Sequence, residues 1–246
     1  MSDRFFTPDP LSPGEYVLTG AEAHHLASVR RFAPGDRLTL FNGDGHDYPA
    51  EVVSTDRKRA LLNVLASVAV DRELPFPLVV GSALPKGDRG DFLIEKLTEL
   101  GVTRFVPLVT TRCVVVPKET VVRKLGRAVI EASKQCGRNR LMSVSAPLTW
   151  EQFVRLADLP VCRHVLHTGP GLAMLAGSPE GSAVAVAVGP EGGFTQGEIE
   201  TAIAAGWRLA SLGPRVLRVE TAAIAAVAIL GEQVSSPAGR ALTAPP

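Results

Sequence analysis

Cysteine is scarce in this chain, and so is net charge. Cys113, Cys136 and Cys162 show no C-x-x-C spacing and cannot all pair with one another. That argues against a disulfide scaffold and leads to the expectation of a reduced, cytoplasmic compartment. No Cys/His cluster has zinc spacing, so no metal is expected. Basic and acidic residues nearly cancel, leaving a formal charge of +1; a nucleic-acid partner would have to be met by local basic clusters rather than by the overall balance. The opening MSDRFFTPDP has no long apolar run, and neither a signal peptide nor a membrane span is expected. There is no G-x-x-x-x-G-K-[ST] phosphate loop. Gly169-Pro170-Gly171 lacks the third glycine of the dinucleotide fingerprint, since Met174 stands in that place.

What the chain does have is enough apolar material for one large domain or two modest ones: 46% of its 246 residues are hydrophobic. The first 70 or so residues read as a small β domain. Arg37–Phe41 and Tyr48–Val53 flank the turn Asn42-Gly43-Asp44-Gly45, Arg59–Val64 is a third strand, and His24-His25-Leu26 with Val29 suggests a short helix. Asp71–Pro77 reads as a linker. Beyond it, strand and helix alternate: strands at Leu78–Leu84, Phe105–Val109 and Arg163–His167, helices at Asp88–Leu100 and Thr120–Cys136, and a capping box at Thr149/Gln152. Such alternation predicts an α/β domain with a mostly parallel sheet covered on both faces. The Pro-rich tail, 235–246, is expected to be flexible.

The later half is organised around Ala183–Leu230. The apolar run Ala183–Val188 stops at Gly189-Pro190-Glu191-Gly192-Gly193, Thr195 and Glu198 form a second capping box, and Leu209–Leu212 stops at Gly213-Pro214. Thr221–Leu230 follows, apolar on every side and therefore in need of cover. Ligands of open α/β sheets sit beyond the carboxyl ends of strands. The three breaker loops Leu166–Gly169, Gly189–Phe194 and Leu212–Arg218 are therefore candidates for one cofactor pocket; taken singly, each is also an ordinary strand-to-helix turn.

Gly189-Pro190-Glu191-Gly192-Gly193-Phe194, followed by Ser211-Leu212-Gly213-Pro214-Arg215-Val216-Leu217-Arg218-Val219-Glu220-Thr221-Ala222-Ala223, resembles the motif pair of RsmE-type enzymes of the SPOUT superfamily. The resemblance extends to Lys86-Gly87-Asp88-Arg89, Glu99-Leu100-Gly101-Val102, Gln135-Cys136-Gly137-Arg138 and His24-His25-Leu26. One position departs: Val219 stands where Thr is common among relatives. The resemblance implies a PUA-like β-barrel over residues 1–72 and a SPOUT-type α/β domain over 73–234 with a C-terminal trefoil knot. It also implies a homodimer, S-adenosylmethionine as cofactor, and methylation of N3 of a uridine in 16S ribosomal RNA or the small ribosomal subunit. Knots are rare, and sequence physics alone would argue against one.

The residues then take expected roles. Leu166, His167, Gly169, Gly189, Pro190, Glu191, Gly193, Leu212, Gly213, Leu217 and Arg218 are the expected cofactor-binding set. Arg218 is the candidate for stabilising charge that develops on the uracil oxygens; its competing role is a salt bridge to Glu220 or Glu191. Glu191 has a competing role as helix-terminal capping. Arg30, Lys86, Arg89, Arg112 and Arg138 are candidates for RNA contact, each weighed against a solvated surface role. Two rival functions stay open: a SPOUT ribose 2′-O-methyltransferase, and a non-catalytic RNA-binding factor in ribosome assembly.

Overall fold

The computed structural model describes residues 3–56, 58–176 and 182–232. The expected flexible tail, 235–246, lies outside these, as does residue 57 of the Arg57-Lys58-Arg59 cluster. The chain divides into two compact units, Met1–Glu73 with Lys124–Met142, and Leu74–Arg123 with the remainder from Ser143. The sequence reading placed 124–142 wholly with the later domain.

The first unit is built on a largely antiparallel sheet of β1 (Arg4–Phe6), β2 (Gly14–Thr19), β3 (Arg37–Phe41), β4 (His46–Thr55), β5 (Arg59–Val64) and β6 (Val68–Ala69), ordered β1-β3-β4-β5-β2 with β6 on β4. β3 and β5 fall on the strands expected at Arg37–Phe41 and Arg59–Val64. The expected short helix is α1 (Gly20–His24), continued by a π-helical turn at His25–Val29. Phe5, Leu18, Leu26, Leu40 and Leu62 fill the core. Asp47, nearly buried, ties this unit together. It accepts from Arg4 Nη2 at 2.9 Å, from Arg72 Nη2 at 2.9 Å and from Asn139 Nδ2 at 3.3 Å.

The second unit holds β7 (Leu78–Ser82), α2 (Arg89–Glu99), β8 (Arg104–Val109), the first turn of α3 (Glu119–Cys136), β9 (Ser143–Val144), β10 (Leu148–Thr149), α4 (Trp150–Val154), β11 (Cys162–Leu166), β12 (Val184–Val188), α5 (Gln196–Ala204), β13 (Arg208–Ala210) and α6 (Val219–Glu232). Its sheet runs β10-β8-β7-β12-β11-β13, with β9 on β8, and every pairing in it is parallel. Both central strands, β7 and β12, are buried along their whole length, as a sheet covered on two faces requires. Trp150, Phe153, Ile199 and Ala202 from α4 and α5 pack on Val79, Ala185 and Ala187. α6 packs on α2, β7 and β12. Gly81 makes room for α4, since a Cβ there would lie 2.4 Å from the Phe153 ring. Both predicted capping boxes form, Thr149/Gln152 opening α4 and Thr195/Glu198 opening α5.

Candidate functional site

Three neighbouring parallel strands, β12, β11 and β13, end on the same edge of the sheet. The loops that follow them therefore have to meet. They enclose a cavity of about 290 Å³, close to the lower end of ordinary small-molecule sites. Leu166, His167 and Thr168 line it from the first loop, Gly189–Phe194 from the second, and Leu212, Gly213, Arg215, Val216 and Leu217 from the third. Val188, Val219 and Ala222 complete the wall. His167 N–H donates to the Ala210 carbonyl at 2.9 Å, tying the first loop to the end of β13.

The glycines of the second loop act in different ways. Gly193 has φ +68°, in the left-handed region that favours glycine, with open space where a Cβ would stand. The backbone conformation itself calls for glycine there. Close approach belongs to Gly189, whose Cβ would lie 3.0 Å from the Phe194 ring, and to Gly192, whose Cβ would lie 3.3 Å from Arg112 Cδ. Phe194 itself packs on Trp150, ring centroids 4.2 Å apart.

Nine of the expected cofactor residues line the cavity: Leu166, His167, Gly189, Pro190, Glu191, Gly193, Leu212, Gly213 and Leu217. Gly169 does not; it lies exposed past the lining part of its loop, and Thr168 supplies that wall. Arg218 does not line it either. It stands immediately before α6, its carbonyl accepting from Ala222 N–H at 2.8 Å, with its side chain exposed beside the lining residues Leu217 and Val219. Nor does Arg218 form the ion pair considered for it. Arg89 does so instead, 3.8 Å from Glu191 and 3.5 Å from Glu220.

The candidate RNA residues fare unequally. Lys86 and Arg112 are exposed, and Arg112 Nη1 donates to the Gly192 carbonyl at 2.7 Å. Arg30 is half exposed and ion-paired with Asp3. Arg89 is engaged by the two carboxylates just named. Arg138 must be corrected. Only 4% of it is exposed, and its Nε and Nη2 both donate to Glu73, so it is a buried structural cation. Within the three expected loops sequence reading did not single out Thr168, Gly192, Phe194, Arg215 or Val216, and outside them it missed Val188, Val219 and Ala222. The signal for the last two is helical spacing, since positions three apart share a face.

A family profile described as RNA methyltransferase domain matches residues 72–231, and one described as RNA methyltransferase PUA domain matches 18–65. Ribosomal RNA small subunit methyltransferase E of Synechocystis is 35% identical over 234 residues, covering 93% of this chain and 77% of that protein. The Bacillus subtilis enzyme of the same name is 30% identical, covering 89% and 90%. Among solved structures, ribosomal RNA small subunit methyltransferase E from Neisseria gonorrhoeae bound to S-adenosyl methionine superposes with a TM-score of 0.86 at 30% identity, over 95% of this chain and 98% of that one. A Legionella pneumophila structure with the cofactor SAM bound gives the same TM-score at 33% identity and the same coverages. With a PUA-like N-terminal domain followed by a SPOUT-type α/β domain, this chain belongs to the RsmE family of SPOUT ribosomal RNA methyltransferases.

Proposed function

We propose that this protein methylates N3 of a uridine in 16S ribosomal RNA, using S-adenosylmethionine bound in the cavity at the ends of β11, β12 and β13. The observation that carries this reading is the convergence of three Gly-containing loops on a single cavity. Its residues fit the cofactor. Leu166, Val188, Leu217 and Val219 offer apolar surface to an adenine, close-packed glycine backbone allows near approach, and the Glu191 carboxylate complements a cationic ligand. When bound, S-adenosylmethionine supplies an electrophilic methyl group.

The chain's own part is binding, water exclusion and electrostatics. Uracil N3 is nucleophilic once its proton is lost, and the charge then spreads onto O2 and O4. Arg218, beside the cavity and without an ion pair among the described residues, is the cation proposed to meet that charge. Lys86, Arg112 and Arg30 are proposed to contact RNA. The ribose 2′-O-methylation alternative has no specific observation in its favour.

The same reading includes a trefoil knot and a homodimer. Support for the knot comes from the chain's path: it leaves β13 at the sheet edge, and α6 returns onto β7 and β12 at the centre. For the dimer, α6 buries Ala223, Ala226, Val227 and Leu230 inside its own chain and leaves Ala228 exposed. Ala228→Glu is thus the replacement that should yield monomers by light scattering, whereas Ala226→Glu would damage the core. Three free thiols suit a reduced, cytoplasmic setting.

The roles are tested by single-turnover methylation at saturating RNA. Arg218→Ala should slow methyl transfer by roughly tenfold or more with RNA affinity little changed. Arg30→Ala should weaken RNA binding and leave cofactor affinity alone. Equal losses of rate and RNA affinity in both variants would contradict the assignment.

A further inference from the structure

Glu198 does more than cap α5. It is 5% exposed, and its two carboxylate oxygens hold different segments. Oε2 accepts from Thr195 N–H at 2.7 Å and Thr195 Oγ1 at 3.0 Å, completing the capping box. Oε1 accepts from Thr111 N–H at 2.8 Å, reaching the loop that follows β8. The Glu198 carbonyl takes the Trp150 Nε1–H at 2.8 Å, so the residue is fixed from its backbone as well. Burial alone would push this carboxyl up, but the hydrogen bonds from Thr111 and Thr195 hold it below its ordinary value, and it is ionised at neutral pH.

The residue after Thr111 is Arg112, one of the exposed cations. Its Nη1 donates to the carbonyl of Gly192, which lines the cavity. The β8 loop is therefore held at two points, to the start of α5 through Glu198 and to the Gly189–Phe194 loop through Arg112. One guanidinium N–H is used on the protein; the other donors have no hydrogen-bond partner among the described residues. A planar, always-charged fork with free N–H groups at the rim of a cavity matches a phosphate oxygen pair.

We propose that Glu198 is a positioning residue for RNA engagement: by holding the Thr111 amide it sets Arg112 on the cavity rim, where Arg112 contacts an RNA phosphate. This rests on the reading of the protein as a ribosomal RNA methyltransferase. Glu198→Gln weakens the hold of this side chain on its two segments. Gln serves a capping box as Glu does, but offers one acceptor oxygen where Glu198 uses two, and turns an amide N–H₂ toward one of the donors. Gly192→Ala reaches the same point from the other side, pushing on Arg112 Cδ and leaving Glu198 untouched.

The experiment is steady-state methylation of 16S ribosomal RNA across a salt series, with cofactor affinity measured by calorimetry. Arg112→Ala should raise the KM for RNA by about tenfold, leave kcat within about twofold and reduce the salt slope by about one charge. Glu198→Gln should raise the same KM, by about threefold or more, with cofactor affinity unchanged, and Gly192→Ala should raise it as well. Combined with Arg112→Ala, neither should add a further loss, because both act through that arginine. Glu198→Asp, which keeps the charge and shortens the reach, replaces Glu198→Gln if the latter does not fold, with the same pattern expected. Losses that multiply in the double variants, a loss confined to cofactor affinity or kcat, or an unchanged salt slope in Arg112→Ala would overturn the inference. A wild type inert on ribosomal RNA would overturn the functional reading and this inference with it; an active wild type with multiplying variants would overturn this inference alone.

Discussion

Arg89 Nη1 stands 3.5 Å from Glu220 Oε1, joining the N-terminal end of α2 to the N-terminal end of α6. Glu220 is buried, and its Oε2 has no hydrogen-bond partner among the described residues. The carboxylate is thus held out of water beside one partly exposed cation, which also lies near Glu191 of the cavity wall. Removing Arg89 leaves a buried charge uncompensated. Arg89→Ala is expected to lower stability by about 1 to 2 kcal/mol, the lower part of that range reflecting the exposure of the arginine. Glu220→Gln in the same background should recover part of the loss. Urea unfolding of the single and double variants checks this, and an Arg89→Ala midpoint equal to wild type would contradict it.

Asp47 gives the first unit a pH dependence of definite sign. Burial pushes its carboxyl up, but hydrogen bonds and charge from Arg4 and Arg72 outweigh this and hold it below its ordinary value. A carboxyl with a depressed folded pKa contributes stability that is complete above the unfolded carboxylate range and lost as pH falls through the folded value. The gap in Tm between wild type and Asp47→Asn should therefore be constant from about pH 6 to 8 and close below about pH 4. Asp47→Ala, which strands Arg4, should cost about 3 kcal/mol at neutral pH. A Tm gap that widens on acidification would refute the assignment.

Two glycines of the cavity loop should answer differently to alanine. Gly189→Ala pushes on the Phe194 ring, which is backed by Trp150 and lines the cavity, so cofactor affinity should fall by about tenfold. Gly193→Ala meets open space but keeps φ +68°, so its effect should be mainly on stability, about 1 kcal/mol. Calorimetry with S-adenosylmethionine and thermal unfolding separate the two. The reverse pattern would show that the glycine roles are misassigned.

The parts of this fold legible in the sequence are those set by local chemistry. Thr149/Gln152 and Thr195/Glu198 place two helix starts, and the buried run Val184–Val188 together with its Gly-Pro stop places the cavity's second loop. That the three loops meet also follows from parallel strands ending on one edge. What was not legible depends on partners distant in sequence. β1 and β2 are edge strands with weak patterning, Arg4–Phe6 being fixed by pairing with Thr39–Phe41. Arg138 looks like a surface cation until Glu73, 65 positions earlier, is seen to bury it. The second arm of Glu198, on Thr111, spans 87 positions and leaves no trace in the capping-box pattern.

The central claim is a base methylation on small-subunit ribosomal RNA, and one measurement addresses it most directly. Purified protein is incubated with S-adenosylmethionine and either 16S ribosomal RNA or small subunits lacking the modification, and the RNA is then digested to nucleosides for mass analysis against standards. The account predicts a single new product co-eluting with 3-methyluridine, absent without the protein and reduced by roughly tenfold or more in initial rate with Arg218→Ala. A product co-eluting with 2′-O-methyluridine, or no methylated nucleoside from either substrate, would contradict it.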